Sequence, residues 1–256
     1  QYYNVSDSET YYLPDSLTSV TVSGNLNYGA FYDCSHITDI TVNGGGTVGD
    51  KAFRNCTALT YAVLDKDITD IGVGAFAGCS SLAEITLPFA GKSTSAINSE
   101  ALFGYIFGST SYPGSYTALQ YYTSSDYVSF ELPSALKEIT ISGNSLGYGV
   151  FSGCTYIEKV ILSGNITELP ALALYGCNHL VDFVIPPSIT SLYYAAFMNC
   201  TSLTGIIIPS AVTLMGSDVF QYCFALTIYC RAASKPSGWS ANWNSGACPV
   251  VWGYTG

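Results

Sequence analysis

The stretches "AFRNCTAL" (52–59), "AFAGCSSL" (75–82) and "AFMNCTSL" (196–203) share one pattern: Phe, two residues, Cys, two residues, Leu. The pattern recurs at Cys34, Cys56, Cys79, Cys154, Cys177, Cys200 and Cys223, at spacings of 22, 23, 75, 23, 23 and 23 residues. A Phe stands three residues before each Cys, except that Leu174 takes its place once; an Ile or Leu stands three after. Alternation follows, as in Ile37-x-x-Ile40-x-Val42, Leu82-x-x-Ile85-x-Leu87 and Leu203-x-x-Ile206-x-Ile208. Period-two alternation over so short a stretch is a strand with one buried face. Pro88, Pro186 and Pro209 turn the chain after three of these strands.

One such unit cannot bury its own apolar side, whereas stacked units can. The period lies within the roughly 20–29 residues of leucine-rich repeats. The expected fold is therefore a β-rich α/β solenoid of the leucine-rich repeat type. Its parallel sheet would lie on the concave face, with short helical or 3-10 turns carrying A-F-x-x-C on the convex face. Same-position residues stack, so the Phe and Cys columns fill the space between turns and strands. Cys suits that place because it is small and apolar with only a weak S–H donor, and the seven repeat cysteines read as buried, reduced thiols.

With these units in hand, the chain resembles the BspA-type leucine-rich repeat proteins of host-associated bacteria and trichomonad protists. The motif A-F-x-x-C-x-x-L-x-x-I-x-I-P stands almost whole at 75–88 and 196–209, and the resemblance covers 16–88 and 135–229. It implies an extracellular or cell-surface protein that attaches to host proteins or to other cells.

The gap from Cys79 to Cys154 is close to three periods but holds no Cys. It contains a Tyr-, Ser-, Thr- and Gly-rich island at about 89–134. This reads as one modified repeat, with Ala101-Leu102-Phe103 in place of the usual A-F, plus a Tyr-rich loop or hairpin at 108–130. Two readings stay open for that segment: a decoration packed on the convex side, or a ligand-contacting loop that repeat packing does not require. Residues 1–25 align with 120–144 without a gap. Residues 1–15 therefore read as the tail of an earlier copy, which implies further repeats upstream; Gln1 fits a mature or trimmed chain. The solenoid is expected over 1–229 and a cap over 230–256, where all three Trp residues lie. Cys230 and Cys248 stand outside the repeat column and are a candidate disulfide pair.

The chain has 256 residues, 48% hydrophobic and 10% charged, with a net charge of −10. That charge argues against nucleic acid, which wants a basic face. No apolar run reaches the roughly 18 residues of a membrane helix. Matches to catalytic motifs dissolve when aligned to the repeat. Ser145 in "GNSLG" has no counterpart serine in the other units, and "GGGTVG" at 44–49 is a repeat turn with no βαβ unit around it. "SALK" at 134–137 runs through Leu136, a core position. His36 and His179 lie in distant units, too few and too far apart for zinc. Asp65, Asp67 and Asp70 share one loop that lacks the full oxygen set of a calcium site.

No catalytic residue, cofactor or metal is expected. The expected function is that of a monomeric, non-enzymatic binding surface for a protein ligand such as a host matrix or cell-surface protein. A structural spacer, or an enzyme with an unrecognised site, are the alternatives. The outward strand positions are Asp39, Thr41, Tyr61, Val63, Glu84, Thr86, Glu138, Thr140, Lys159, Ile161, Val184 and Ile207. Of these, Tyr61, Val63, Glu84, Ile161, Val184 and Ile207 are the candidate ligand contacts, with Tyr112, Tyr116, Tyr121 and Tyr122 from the island, whose composition suits recognition.

Overall fold

The structure, a computed structural model, describes residues 13–256 together with the backbone of Tyr2–Tyr3 and Thr10–Tyr11. The expected island copy at 1–15 lies mostly outside the described residues. The concave face begins as a six-stranded parallel sheet. Its rungs, in spatial order, are Ser19–Ser23, Asp39–Asn43, Tyr61–Leu64, Glu84–Leu87, Glu138–Ile141 and Lys159–Leu162. A second parallel block follows: Gly205–Ile208, Thr227–Cys230 and Val250–Trp252. Register holds from rung to rung, so Ile40, Val42, Ile85, Leu87, Ile139, Ile206 and Ile208 all turn inward and are buried. A second layer of short parallel strands lies across the core, among them Gly46–Val48 with Ile68–Ile71, and Ser191–Leu192 with Leu214–Met215.

The convex segments are short turns closed by 3-10-type bonds, such as Ala52 N–H to Gly49 C=O (3.2 Å) and Arg54 N–H to Lys51 C=O (3.0 Å), and they do not extend into helices. Left-handed residues stand five and one positions before the Cys: Lys51 (φ 55°) and Asn55 (φ 60°) before Cys56, Ala195 (φ 54°) and Asn199 (φ 64°) before Cys200. A left-handed residue stops a helix. Single turns such as Cys56 N–H to Phe53 C=O, 3.1 Å, therefore form and do not propagate. Among the described residues, the 3-10 helices are Asn98–Ala101 and Phe103–Ile106, both in the island.

The turns are tied together by main-chain bonds, for example Phe53 N–H to Ala75 C=O (2.8 Å) and Phe197 N–H to Val219 C=O (2.9 Å). The thiols add a second tie. Cys56, Cys79, Cys177, Cys200 and Cys223 donate S–H to the main-chain carbonyls of Phe31, Phe53, Phe151, Leu174 and Phe197, at Sγ···O distances between 3.0 and 3.3 Å. The side chain is therefore chosen for a donor as well as for size. Beside the thiols the rings stack, with centroids 5.6 Å apart for Phe31–Phe53, 5.0 Å for Phe53–Phe76 and 5.5 Å for Phe197–Phe220. Where Leu174 interrupts that stack, Phe183 enters from the strand column and meets Phe197 edge-on at 5.1 Å.

Glu84–Leu87 pairs directly with Glu138–Ile141, so residues 88–137 add no rung to the concave sheet. They complete the convex side instead. Phe76 N–H donates to Ile106 C=O (2.8 Å) and Phe103 N–H to Val150 C=O (3.1 Å). An antiparallel hairpin of Ser115–Tyr121 and Tyr127–Pro133 lies against these turns. From it, the buried Gln120 accepts from Gly104 N–H (2.7 Å) and donates to Val150 C=O (3.3 Å) and to Cys154 Sγ (3.3 Å). Gly153 (φ 68°) is required beneath it, because a Cβ there would meet Leu119 C=O at 2.6 Å. At the far end Trp239 and Trp243 are buried, and the Trp239 ring N–H donates to Val212 C=O (3.0 Å).

Candidate binding face

The register sets two outward columns on the concave sheet. The first runs Asp39, Tyr61, Glu84, Glu138, Lys159, Asp182, with Lys159 Nζ 3.4 Å from the Glu138 carboxylate. The second runs Thr41, Val63, Thr86, Thr140, Ile161, then resumes as Ile207, Tyr229, Val251. The second column thus changes from mostly threonine to aliphatic and aromatic along the molecule. Tyr61, Glu84, Val184 and Ile207 are exposed and Val63 and Ile161 are half-buried, whereas their immediate neighbours Ala62, Ile85, Val160, Phe183 and Ile206 are buried.

The change of chemistry coincides with a change of structure. Asp182 makes a single bridge back to Lys159, and no ladder joins Asp182–Ile185 to Gly205–Ile208. The convex side stays closed at this level: Leu174 N–H donates to Ala196 C=O (2.8 Å) and Gly176 N–H to Met198 C=O (2.9 Å). The solenoid is therefore splayed on its concave side alone. A groove of about 760 Å³ opens there, with Val184, Ile207, Tyr229, Tyr254, Asp182 and Arg231 on its walls. Val184 is 74% exposed at its rim. This groove is the feature that sequence reading missed. Its signal was present as two exceptions, Leu174 in the Phe column and Phe183 in an aliphatic strand position.

The island tyrosines do not share this face. Tyr112, half-buried, donates its hydroxyl to Glu131 C=O (3.3 Å). Tyr116 packs on Tyr156 at 4.7 Å, Tyr121 meets Tyr175 edge-on at 5.9 Å, and Tyr122 packs on the core. Within the hairpin Tyr127, 56% exposed, packs its ring against Tyr121 at 5.6 Å.

All nine cysteines are buried and none is in a disulfide. Cys248 occupies an eighth place in the thiol column, with its Sγ 3.7 Å from Phe220 C=O. The spacing of 25 residues from Cys223 hid that role in the sequence. Cys230 lies on the inward side of its strand between Ile208 and Trp252, and the pair is not joined here. Burial pushes the thiols of Cys177, Cys223 and Cys230 up to about 12. A thiol so placed holds almost no thiolate at neutral pH and is a poor nucleophile. Exposed His179 stacks on Tyr156 and its Nδ1 lies 2.6 Å from Thr155 C=O, while His36 lies 3.5 Å from Asp15. No cluster of three or more His, Cys, Asp or Glu groups is placed to hold a metal ion among the described residues. No helix among them is long and apolar enough to cross a membrane.

Solved bacterial leucine-rich repeat structures match the chain at low identity. A leucine-rich cell surface protein from Faecalibacterium prausnitzii shares 20% identity over 94% of this chain and 83% of its own, with a TM-score of 0.38. The leucine-rich repeat protein of T. pallidum shares 15% over the full length of both chains, with a TM-score of 0.38. A leucine-rich repeat protein from Bacteroides ovatus shares 18% over 94% of this chain and 76% of its own, also with a TM-score of 0.38. No curated protein gives a significant match. The family model for the BspA type leucine-rich repeat region matches residues 2–128 and 119–233 in six copies. With its repeats, its parallel concave sheet and that match over most of its length, the chain belongs to the BspA-type leucine-rich repeat family.

Proposed function

We propose that this chain is a non-enzymatic binding module, extracellular or on a cell surface, whose concave face takes a protein ligand such as a host matrix or cell-surface protein. The observation that carries the reading is the outward column Ile161, Val184, Ile207 beside a groove of about 760 Å³. Exposed aliphatic residues in a concave setting are the usual mark of a contact surface. The packed state of Tyr112, Tyr116, Tyr121 and Tyr122 turns attention from the island to the sheet. A net charge of −10 supports a protein ligand over nucleic acid.

The test is retention of epithelial cells and of matrix-coated beads on the immobilised full chain. Val184→Lys and Ile207→Lys should each reduce retention strongly at an unchanged Tm. Retention that survives both substitutions would leave the concave face as a spacer surface.

A further inference from the structure

We propose that the gap between Asp182–Ile185 and Gly205–Ile208 is a strand-addition site that takes an extended peptide, paired parallel to Gly205–Ile208. The inference rests on the concave-face reading above and names the chemistry of its ligand.

The main chain provides the first argument. Thr227 N–H donates to Thr204 C=O at 2.9 Å, and Arg231 N–H to Ile208 C=O at 3.1 Å. Thr204, Ile206 and Ile208 thus direct their polar groups toward the strand Thr227–Cys230. By the alternation of a parallel ladder, Gly205 and Ile207 direct theirs the other way, into the groove. No ladder meets them there. Elsewhere on the concave face, consecutive rungs join through such groups. An unpaired edge inside an apolar groove is a template for one more strand, with main-chain bonds giving affinity and alternate side chains giving selectivity.

The second argument is charge. Asp182 lines the groove where the strands begin, and Arg231 lines it where they end. A parallel peptide sets its amino end by Asp182 and its acidic or carboxylate end by Arg231. The Arg231 Nη2 donates to Gly256 C=O (3.2 Å), and a guanidinium has further donors to offer. Val184, Ile207 and Tyr229 face the middle of the groove, so the peptide should be aliphatic there. The edge is four residues long, about 13 Å at the strand rise. A second copy of this chain is the poorer occupant, since two bodies of charge −10 repel.

The origin of the gap offers a control. A Phe stands at 183 where neighbouring rungs carry Ile139, Val160 and Ile206, and its ring meets Phe197 beside the smaller Leu174 that interrupts the ring stack. The paired exchange Leu174→Phe with Phe183→Ile returns both columns to the repeat pattern at similar total volume. It should close the ladder.

The experiment uses the full chain and a fluorescent hexapeptide, Thr-Ile-Thr-Val-Thr-Asp with a free carboxylate, read by anisotropy. Binding should weaken roughly tenfold when one ladder-facing amide is N-methylated, the size of one lost hydrogen bond without solvent in its place. Arg231→Glu should weaken it, and the Leu174→Phe/Phe183→Ile variant, folded by circular dichroism, should lose it. Binding that ignores every N-methyl group would overturn strand addition and leave an apolar groove. Absence of peptide binding, with cell retention still lost in Ile207→Lys, would overturn the peptide and keep the concave-face reading. A dimer in sedimentation that Ile207→Lys dissolves would overturn it in favour of a second copy.

Discussion

The thiol of a repeat cysteine has two jobs, filling a small apolar space and tying its turn to the carbonyl of the previous unit, as Cys200 does with Leu174 at 3.2 Å. Cys200→Ala should cost about 1–2 kcal/mol in urea unfolding, from the lost sulfur volume and the carbonyl left unpaired. Cys200→Ser should cost less, because a hydroxyl keeps a donor there; equal losses would reduce the thiol to filler. Burial also sets the pH response. Cys177, Cys223 and Cys230 titrate at about 12 in the folded chain against an ordinary 9.0. They are acids with raised folded values, so above pH 9.0 the unfolded chain sheds protons that the folded chain keeps. Their contribution is whole below pH 9.0 and is lost as pH climbs toward about 12. The urea midpoint should hold between pH 7 and 8 and fall by pH 10.5, roughly the window these thiols define. Thiol reagent should label few sites in the native state, and nine after denaturation. A denatured count of seven would mean that Cys230 and Cys248 are bridged. Backbone strain is the other residue-scale lever. Tyr222 holds φ 63° one position before Cys223, where Asn55 and Asn199 hold the same conformation at lower cost. Tyr222→Asn should raise stability by up to about 1 kcal/mol, part of the left-handed penalty of an ordinary side chain.

A strand is read correctly only if its faces are assigned correctly, and adjacent residues test this. Ile206 is buried and Ile207 is 39% exposed. Ile206→Lys should cost several kcal/mol, as an unpaired charge in the core does, while Ile207→Lys should cost under about 1 kcal/mol. The strands were legible because the alternation is local, and the parallel sheet followed from units repeating in one direction. The convex turns were legible as short turns, but the left-handed φ that stops them was not, because a short apolar run says little about it. The signal lay in the Gly, Asn or Asp that precedes most repeat cysteines, as at Asp33, Asn55, Gly78 and Asn199. The island reads from sequence as a modified repeat plus a Tyr-rich loop or hairpin at 108–130 that repeat packing does not require, because that segment falls outside the 23-residue pattern. What holds it is a set of contacts distant in sequence, foremost Gln120 with Gly104, Val150 and Cys154. Deleting 108–128 should therefore destabilise the solenoid, since Ala118 and Gln120 are wholly buried. Gln120→Ala should cost about 2–4 kcal/mol by orphaning buried polar groups. A deletion variant with an unchanged Tm would restore the decoration reading.

Stacked repeats are stabilised by neighbours, so the molecule is only as cooperative as its weakest junction. That junction lies between Asp182–Ile185 and Gly205–Ile208, where the concave ladder is missing and the convex one persists. The sequence showed Leu174 and Phe183 as separate departures from pattern. It did not show that the Phe183 ring reaches Phe197 in the stack, because that contact joins residues from different columns of the repeat. The consequence is measurable because Trp239, Trp243 and Trp252 all lie on one side of the junction, packed together with centroids 4.8 to 6.1 Å apart. Tryptophan fluorescence therefore reports the block from Gly205 onward, while circular dichroism reports the whole sheet. In urea the fluorescence midpoint should come below the circular dichroism midpoint, a departure from two-state unfolding. In the Leu174→Phe/Phe183→Ile variant, with the ladder restored across the gap, the two midpoints should converge. Coincident transitions in the unmodified chain would mean that the convex bonds alone couple the two blocks, and the splayed sheet would then be a local feature without a cost in cooperativity.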